Sequence, residues 1–165
     1  MERVDFVGKP VMVTKHAFKI QVFQKVAEAA IRDAKVEQSK HVDTAAVAYN
    51  KTQLDGAEEL DQEGVHYFRS LLGKLMYIAW DRPDIQFATV TTARAGSTPS
   101  TIDLMRAKRV ARYLAHRKSL WWKYEVKEFT GKIEVYTDSD WSGEPKTRRS
   151  TSGGILCFEG FVIKT

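Results

Sequence analysis

The residues best suited to chemistry in this chain are the acids of the run Asp138-Ser139-Asp140-Trp141-Ser142-Gly143. Alternating oxygen donors that end on a glycine match the opening of a calcium loop, which also needs a bidentate Glu at its twelfth position. Arg149 stands at that position, a cation where the ion needs a carboxylate. The flanks read as strands rather than helices, and calcium binding is excluded. The other chemistry open to these acids is a carboxylate held at the end of a central strand, residues 132–137, over a shallow site. Two-metal phosphodiester hydrolysis gathers several carboxylates around ions about 3.5–4 Å apart. Asp138 can supply one such metal ligand and Asp140 is a weaker second, but one or two carboxylates do not hold two Mg²⁺ ions. The plain reading of Asp138 is an aspartate that starts a turn, the commonest role for this residue type.

Other reactive constellations are missing. His16, His41, His66 and His116 are isolated, without the spacing of a zinc site. Gly153-Gly154 follows neither a phosphate-loop nor a dinucleotide pattern and reads as a place for a bulge or close packing. Cys157 is the sole cysteine, so no internal disulfide forms, and its apolar neighbours mark it as core rather than nucleophile.

A second functional signal is electrostatic. The chain of 165 residues carries a net charge of +5. Between residues 94 and 126, eight Lys or Arg stand against two acids, a local balance of +6 that leaves the remainder near neutral. Much of this charge lies on one predicted helix, 100–116. With Leu104 at zero on a helical wheel, Ala107, Val110, Ala111 and Leu114 fall between roughly 240° and 340°. Arg106, Lys108, Arg109, Arg112 and His116 fall between roughly 40° and 200°. Met105 and Tyr113 sit inside that basic arc as possible packing points for a partner, and Arg117 and Lys118 extend the charge past the helix. A solvated outer face is the ordinary meaning of such an arc. Contact with a phosphate backbone is the functional one.

The elements that must position these residues follow from periodicity. Hydrophobic residues at 43% and charged residues at 28% describe an ordinary globular chain. Residues 4–14 and 17–23, rich in Val, Phe and Ile, read as a strand pair. Residues 24–36 read as an alanine-rich helix. Residues 37–64 form a connection of nearly thirty residues without periodicity, an unusual length that marks a functional or mobile segment. Val65, Phe68, Leu71, Leu72, Leu75, Met76 and Ala79 recur at helical steps. Pro83 suits the first turn of a further helix, 84–94. Ser100 and Asp103 form a capping-box pair for the basic helix. From Leu120 the period becomes two. Strands are expected at 121–126 and 132–137, a turn at 138–143, a polar basic loop at 144–150, and a hairpin from 153–158 and 160–164. The last strand is hardly finished at Thr165, which reads as truncation and would leave a sheet edge unpaired. The first nine residues lack the apolar run of a signal peptide, and no stretch has the roughly 18 apolar residues of a membrane span. The expectation is an intracellular chain, nucleus or cytoplasm unresolved, with no membrane and no small-molecule substrate as partner. Asn50-Lys51-Thr52 matches a glycosylation sequon and is read as chance.

Four segments, in order, resemble the copia-type retrotransposon Pol polyprotein. The run YFRSLLGKLMYIAWDRPDI from Tyr67 to Ile85 looks like the family's "YRSLVGSLLYL…TRPDI" near the end of the reverse transcriptase region. AKRVARYL, from Ala107 to Leu114, is similar to its "AKRVLRYLKGT" helix, and YTDSDWSG, from Tyr136 to Gly143, to the "YTDSDWAGD" that opens the RNase H domain. RSTSGG, from Arg149 to Gly154, is similar to "RKSTSGY". The resemblance implies an α+β chain in two parts. Residues 1–126 would be the late palm and thumb or connection of a reverse transcriptase, and 127–165 the start of an RNase H-like mixed sheet. It implies that Asp138 is the first RNase H carboxylate, a catalytic Mg²⁺ ligand. It also implies that Arg106, Lys108, Arg109, Arg112, His116, Arg117 and Lys118 ride on the backbone of an RNA–DNA hybrid or duplex, independent of sequence. Mg²⁺ would bind only if residues outside this chain complete the site. No Asp-Asp pair occurs, so polymerase chemistry does not reside here. Ala115-His116-Arg117-Lys118 replaces the family's "LKGT", and Trp80 stands where a small polar residue is usual. The expected function is therefore a fragment of a parent that copies RNA into DNA and cleaves the RNA of hybrids, inactive alone. The alternative is a non-catalytic nucleic-acid-binding remnant using the helix 100–116.

Overall fold

The computed structural model describes residues 2–22, 24–143 and 148–165. Three strands, β1 (Glu2–Phe6), β2 (Lys9–Val13) and β3 (Ala17–Gln21), form an antiparallel meander. The single strand expected over 4–14 is thus two strands. Val7 and Gly8 take φ of 50° and 73°, the positive values a tight hairpin turn requires at both central positions, and Gly8 supplies the second without strain. Valine enrichment on both sides of this turn concealed it. The expected strand end at Phe23 lies outside the described residues.

The helices follow: α1 (Gln24–Asp33), the short α2 (Lys51–Asp55), α3 (Gln62–Ala79), α4 (Pro83–Ala93) and α5 (Thr101–His116). The long connection therefore contains one helical turn, started by Asn50, whose side chain accepts from Gln53 N–H at 2.9 Å. The sequon asparagine is a helix cap. Asp61 starts α3 in the same way, accepting from Gly64 N–H at 2.8 Å. Both were hidden among polar residues with no apolar period beside them. As expected, the Asp103 carboxylate reaches back to Ser100, accepting from its N–H at 3.0 Å and from its hydroxyl at 2.7 Å.

One core joins α1, α3, α4 and α5. Phe68, Leu71, Leu75 and Ile78 of α3 are fully buried against Ala107, Val110, Ala111 and Leu114 of α5 and Ala27, Ala30 and Ile31 of α1. Alanines at the facing positions let the helix axes approach closely around the larger α3 side chains. Tyr113 is buried too, which corrects its placement on the outer arc of α5. Its ring joins the core, where burial and the Asp84 charge raise the phenol above its ordinary value.

After α5, β4 (Trp121–Glu125) returns to pair antiparallel with β3, setting Tyr124 opposite Phe18 with their rings stacked at 4.7 Å. The first sheet thus has the order β1-β2-β3-β4. A separate sheet has the order β5-β6-β7, from β5 (Ile133–Ser139), β6 (Ser152–Phe158) and β7 (Phe161–Lys164), all antiparallel. Among the described residues β5 pairs only with β6. It is an edge strand where a central one was expected, so Asp138 ends an edge. Most of the expected basic loop, 144–147, lies outside the described residues. At the β6–β7 turn Glu159 has φ of 52°, and its carboxylate accepts from Thr130 N–H at 2.7 Å and Lys132 N–H at 2.9 Å. The architecture is α+β, with a helical core and two separate antiparallel sheets. Among the described residues no helix is long and apolar enough to cross a membrane.

Candidate functional site

Asp138 and Asp140 have different surroundings. Asp138 is the penultimate residue of β5, with an exposed carboxylate whose Oδ1 accepts from the neighbouring Ser139 N–H at 2.9 Å. Its cross-strand partner is Gly153, where a side chain would meet nothing within 4 Å. The face beside Asp138 is therefore open to a ligand. Asp140 is engaged. Its Oδ1 accepts from Thr151 N–H at 2.6 Å and its own N–H donates to Thr151 O at 3.0 Å, clamping the start of β6. A Cβ on Gly143 would come within 2.1 Å of Asp140 Oδ2, so a larger residue there would push the Asp140 carboxylate aside. Asp140 shapes the turn, and the Asp138 carboxylate is exposed beside it.

Asp138 alone does not make a magnesium site. Among the described residues no three His, Cys, Asp or Glu gather closely enough to hold a metal ion. The residues present do not fit two Mg²⁺ ions, and no chemical step is derived through them.

The basic residues of α5 do share one side of the helix, but that side is not bare. Residues 39–49 of the long connection lie across it. Arg112 Nε donates to Lys40 O at 2.5 Å, Arg109 Nη2 to Thr44 Oγ1 at 3.2 Å, and His116 Nε2 contacts Ser39 O at 2.9 Å. The His116 ring meets His41 edge-on at 4.9 Å. Arg106 pairs with Asp103 at 3.1 Å and lies over the Tyr49 ring at 5.2 Å, while Lys108 lies over Tyr67 at 5.5 Å. Val42 and Ala45 anchor this strap in the core. Arg117 and Lys118, beyond the helix end, are exposed, although Arg117 also rests over Tyr113 at 5.1 Å.

A charged cluster that periodicity did not reveal sits behind this face. Arg82 is 1% exposed and grips Asp84 with two parallel bonds, Nε to Oδ1 at 2.8 Å and Nη2 to Oδ2 at 2.7 Å. Its Nη1 donates to Arg117 O at 2.9 Å, tying the α3–α4 junction to the end of α5. Burial pulls the Asp84 carboxyl upward, but Arg82 and the Tyr113 hydroxyl outweigh it and hold Asp84 below the usual carboxylate range. Burial and the Asp84 charge together raise the Tyr113 phenol. The Arg-Pro-Asp sequence was visible only as part of a family resemblance. Its physical content is a bidentate ion pair, with Pro83 at the first position of α4.

No family model and no solved structure matches the chain. Over 86 residues, 52% of this chain, it is 36% identical to an uncharacterized mitochondrial protein of Arabidopsis thaliana. Over 89 residues, 54% of this chain, it is 33% identical to the retrovirus-related Pol polyprotein from transposon RE1 of the same plant. It is also 32% identical over 97 residues, 58% of this chain, to a protein of Plasmopara viticola named secreted RxLR effector protein 161. These matches cover 35%, 6% and 68% of the respective relatives, so the chain spans about a third of the mitochondrial protein and a short stretch of the polyprotein.

Proposed function

This chain belongs to the copia-type retrotransposon Pol polyprotein family, and from that premise we propose that it is the stretch joining the reverse transcriptase to the RNase H of such a polyprotein. In this reading residues 1–126 come from the late palm and the thumb or connection, and 127–165 begin an RNase H-like sheet. The parent would copy RNA into DNA and hydrolyse the RNA of hybrids with two Mg²⁺ ions. The role of this chain is to present one carboxylate and a basic surface, without turning over a substrate itself. The observation that carries the reading is Asp138, an exposed carboxylate on the first strand of an antiparallel three-stranded sheet, facing open space across Gly153. The turn is held by Asp140, which in this reading leaves Asp138 to serve as one ligand of a site completed by residues outside this chain.

The direct experiment incubates the purified chain and its Asp138→Asn variant with an RNA–DNA hybrid in Mg²⁺. Neither should cleave. Cleavage by the unaltered chain that vanishes in the variant would sink the claim that this stretch is inactive alone.

The second reading, a non-catalytic binder of nucleic-acid backbones, is favoured by the exposed Arg117 and Lys118 at the end of α5. Reversing both to Glu should weaken hybrid binding while leaving the thermal transition in place. Unchanged binding would place the contact elsewhere.

A further inference from the structure

The most unusual feature of the basic face is that the chain itself already occupies it. Phosphate oxygens would offer Arg109, Arg112 and His116 strong acceptors, and residues 39–44 offer acceptors of the same type. These are two backbone carbonyls and a hydroxyl at 2.5–3.2 Å. The match is imperfect at one atom. Arg109 Nε is buried and meets no acceptor among the described residues. A buried donor of a charged group without a partner is costly, so the strap covers the face at a penalty that an uncovered Arg109 would not bear. The strap is also lightly held. Most of its residues are exposed and without regular structure, and its core anchors are the small side chains of Val42 and Ala45.

We propose that the connection 37–49 is an intramolecular cover that competes with a nucleic-acid backbone for Arg109, Arg112 and His116. This rests on the reading of α5 as a backbone-binding helix and adds its regulation. In the covered state only the outlying Arg117 and Lys118 meet a phosphate backbone. When the strap lifts, the guanidinium groups of Arg109 and Arg112 and the His116 ring join them as donors. Apparent affinity is then the intrinsic affinity reduced by the fraction of molecules whose strap is open. The long connection, too long for a simple link between α1 and α3, acquires a use.

The test uses the whole chain, a fluorescent RNA–DNA hybrid at low salt, and two measurements. The first compares the unaltered chain with Val42→Ser/Thr44→Ala, which removes a core anchor and the Arg109 acceptor without touching a basic residue. The variant should bind about tenfold more tightly, as expected where about a tenth of the straps are open. The second follows tryptic cleavage after Lys40, whose carbonyl is engaged by Arg112, in the unaltered chain alone. Adding hybrid should accelerate that cut several-fold, and this decides the matter if the double variant fails to fold. Equal affinities, with cleavage after Lys40 unchanged or slowed by hybrid, would overturn the cover while leaving backbone binding intact. No binding by either protein at low salt would overturn the backbone-binding reading and the cover with it.

Discussion

Arg82 shows how a residue with no periodicity can organise the molecule. A guanidinium that is 1% exposed survives only because all three of its nitrogens donate, two to Asp84 and one to Arg117 O. Arg82→Ala should cost about 3 kcal/mol, the lower end for a broken buried pair, since the Asp84 side chain keeps 31% exposure. The pH dependence has a definite sign. Asp84 is held below its ordinary range, so its contribution is complete above that range and is lost as the pH falls through the depressed folded value. Denaturant melts should therefore show the gap between the unaltered chain and Arg82→Ala widest near neutrality and narrowing in acid. A gap independent of pH would mean that the ion pair carries none of it.

At the scale of elements, what was legible is what repeats. Leu71, Leu75 and Ala79 recur at helical steps and are buried, so α3 followed from the sequence, as did α4 from Pro83 and the start of α5 from Ser100 and Asp103. What escaped was non-repeating. The β1–β2 turn rests on backbone sign at Val7 and Gly8, and the starts of α2 and α3 rest on single caps at Asn50 and Asp61. The basic arc was correctly placed on α5, but its cover was not foreseeable, because residues 39–49 have no pattern of their own and are ordered by what they touch. The turn offers a check. A β-branched residue at φ of 50° is strained, and asparagine tolerates that region well. Val7→Asn should raise stability by about 1 kcal/mol, readable as a higher melting temperature. A lower one would show that the turn takes another form.

Over the whole molecule, burial is uneven. The helical layer has a continuous core, whereas the β5–β7 sheet leaves Ile133, Val135 and Ile163 exposed at 66%, 65% and 57%. Among the described residues, the side-chain bonds that tie that sheet to the helices include Arg94 to Thr151 at 2.9 Å and, just past β7, Gln86 to Thr165 O at 3.1 Å. Regions with little buried apolar surface open at lower free energy than the core. Amide exchange in β5 and β6 should therefore be faster than in α3 and α5 by orders of magnitude, and equal protection would show one cooperative unit. Asp138 lies in this weakly supported sheet, whose exposed apolar residues fit a stretch that stands against other parts of a larger protein.

Both proposed roles of the basic surface require that this chain meet nucleic acid through charge. The most direct measurement is the affinity for an RNA–DNA hybrid as a function of salt concentration. Contact with several phosphates predicts binding at low salt that weakens steeply, with log K falling linearly in log salt at a slope of about −0.9 per phosphate neutralised on a B-form duplex. Affinity that ignores salt, or no binding even at the lowest concentration, would rule out contact through the phosphate backbone.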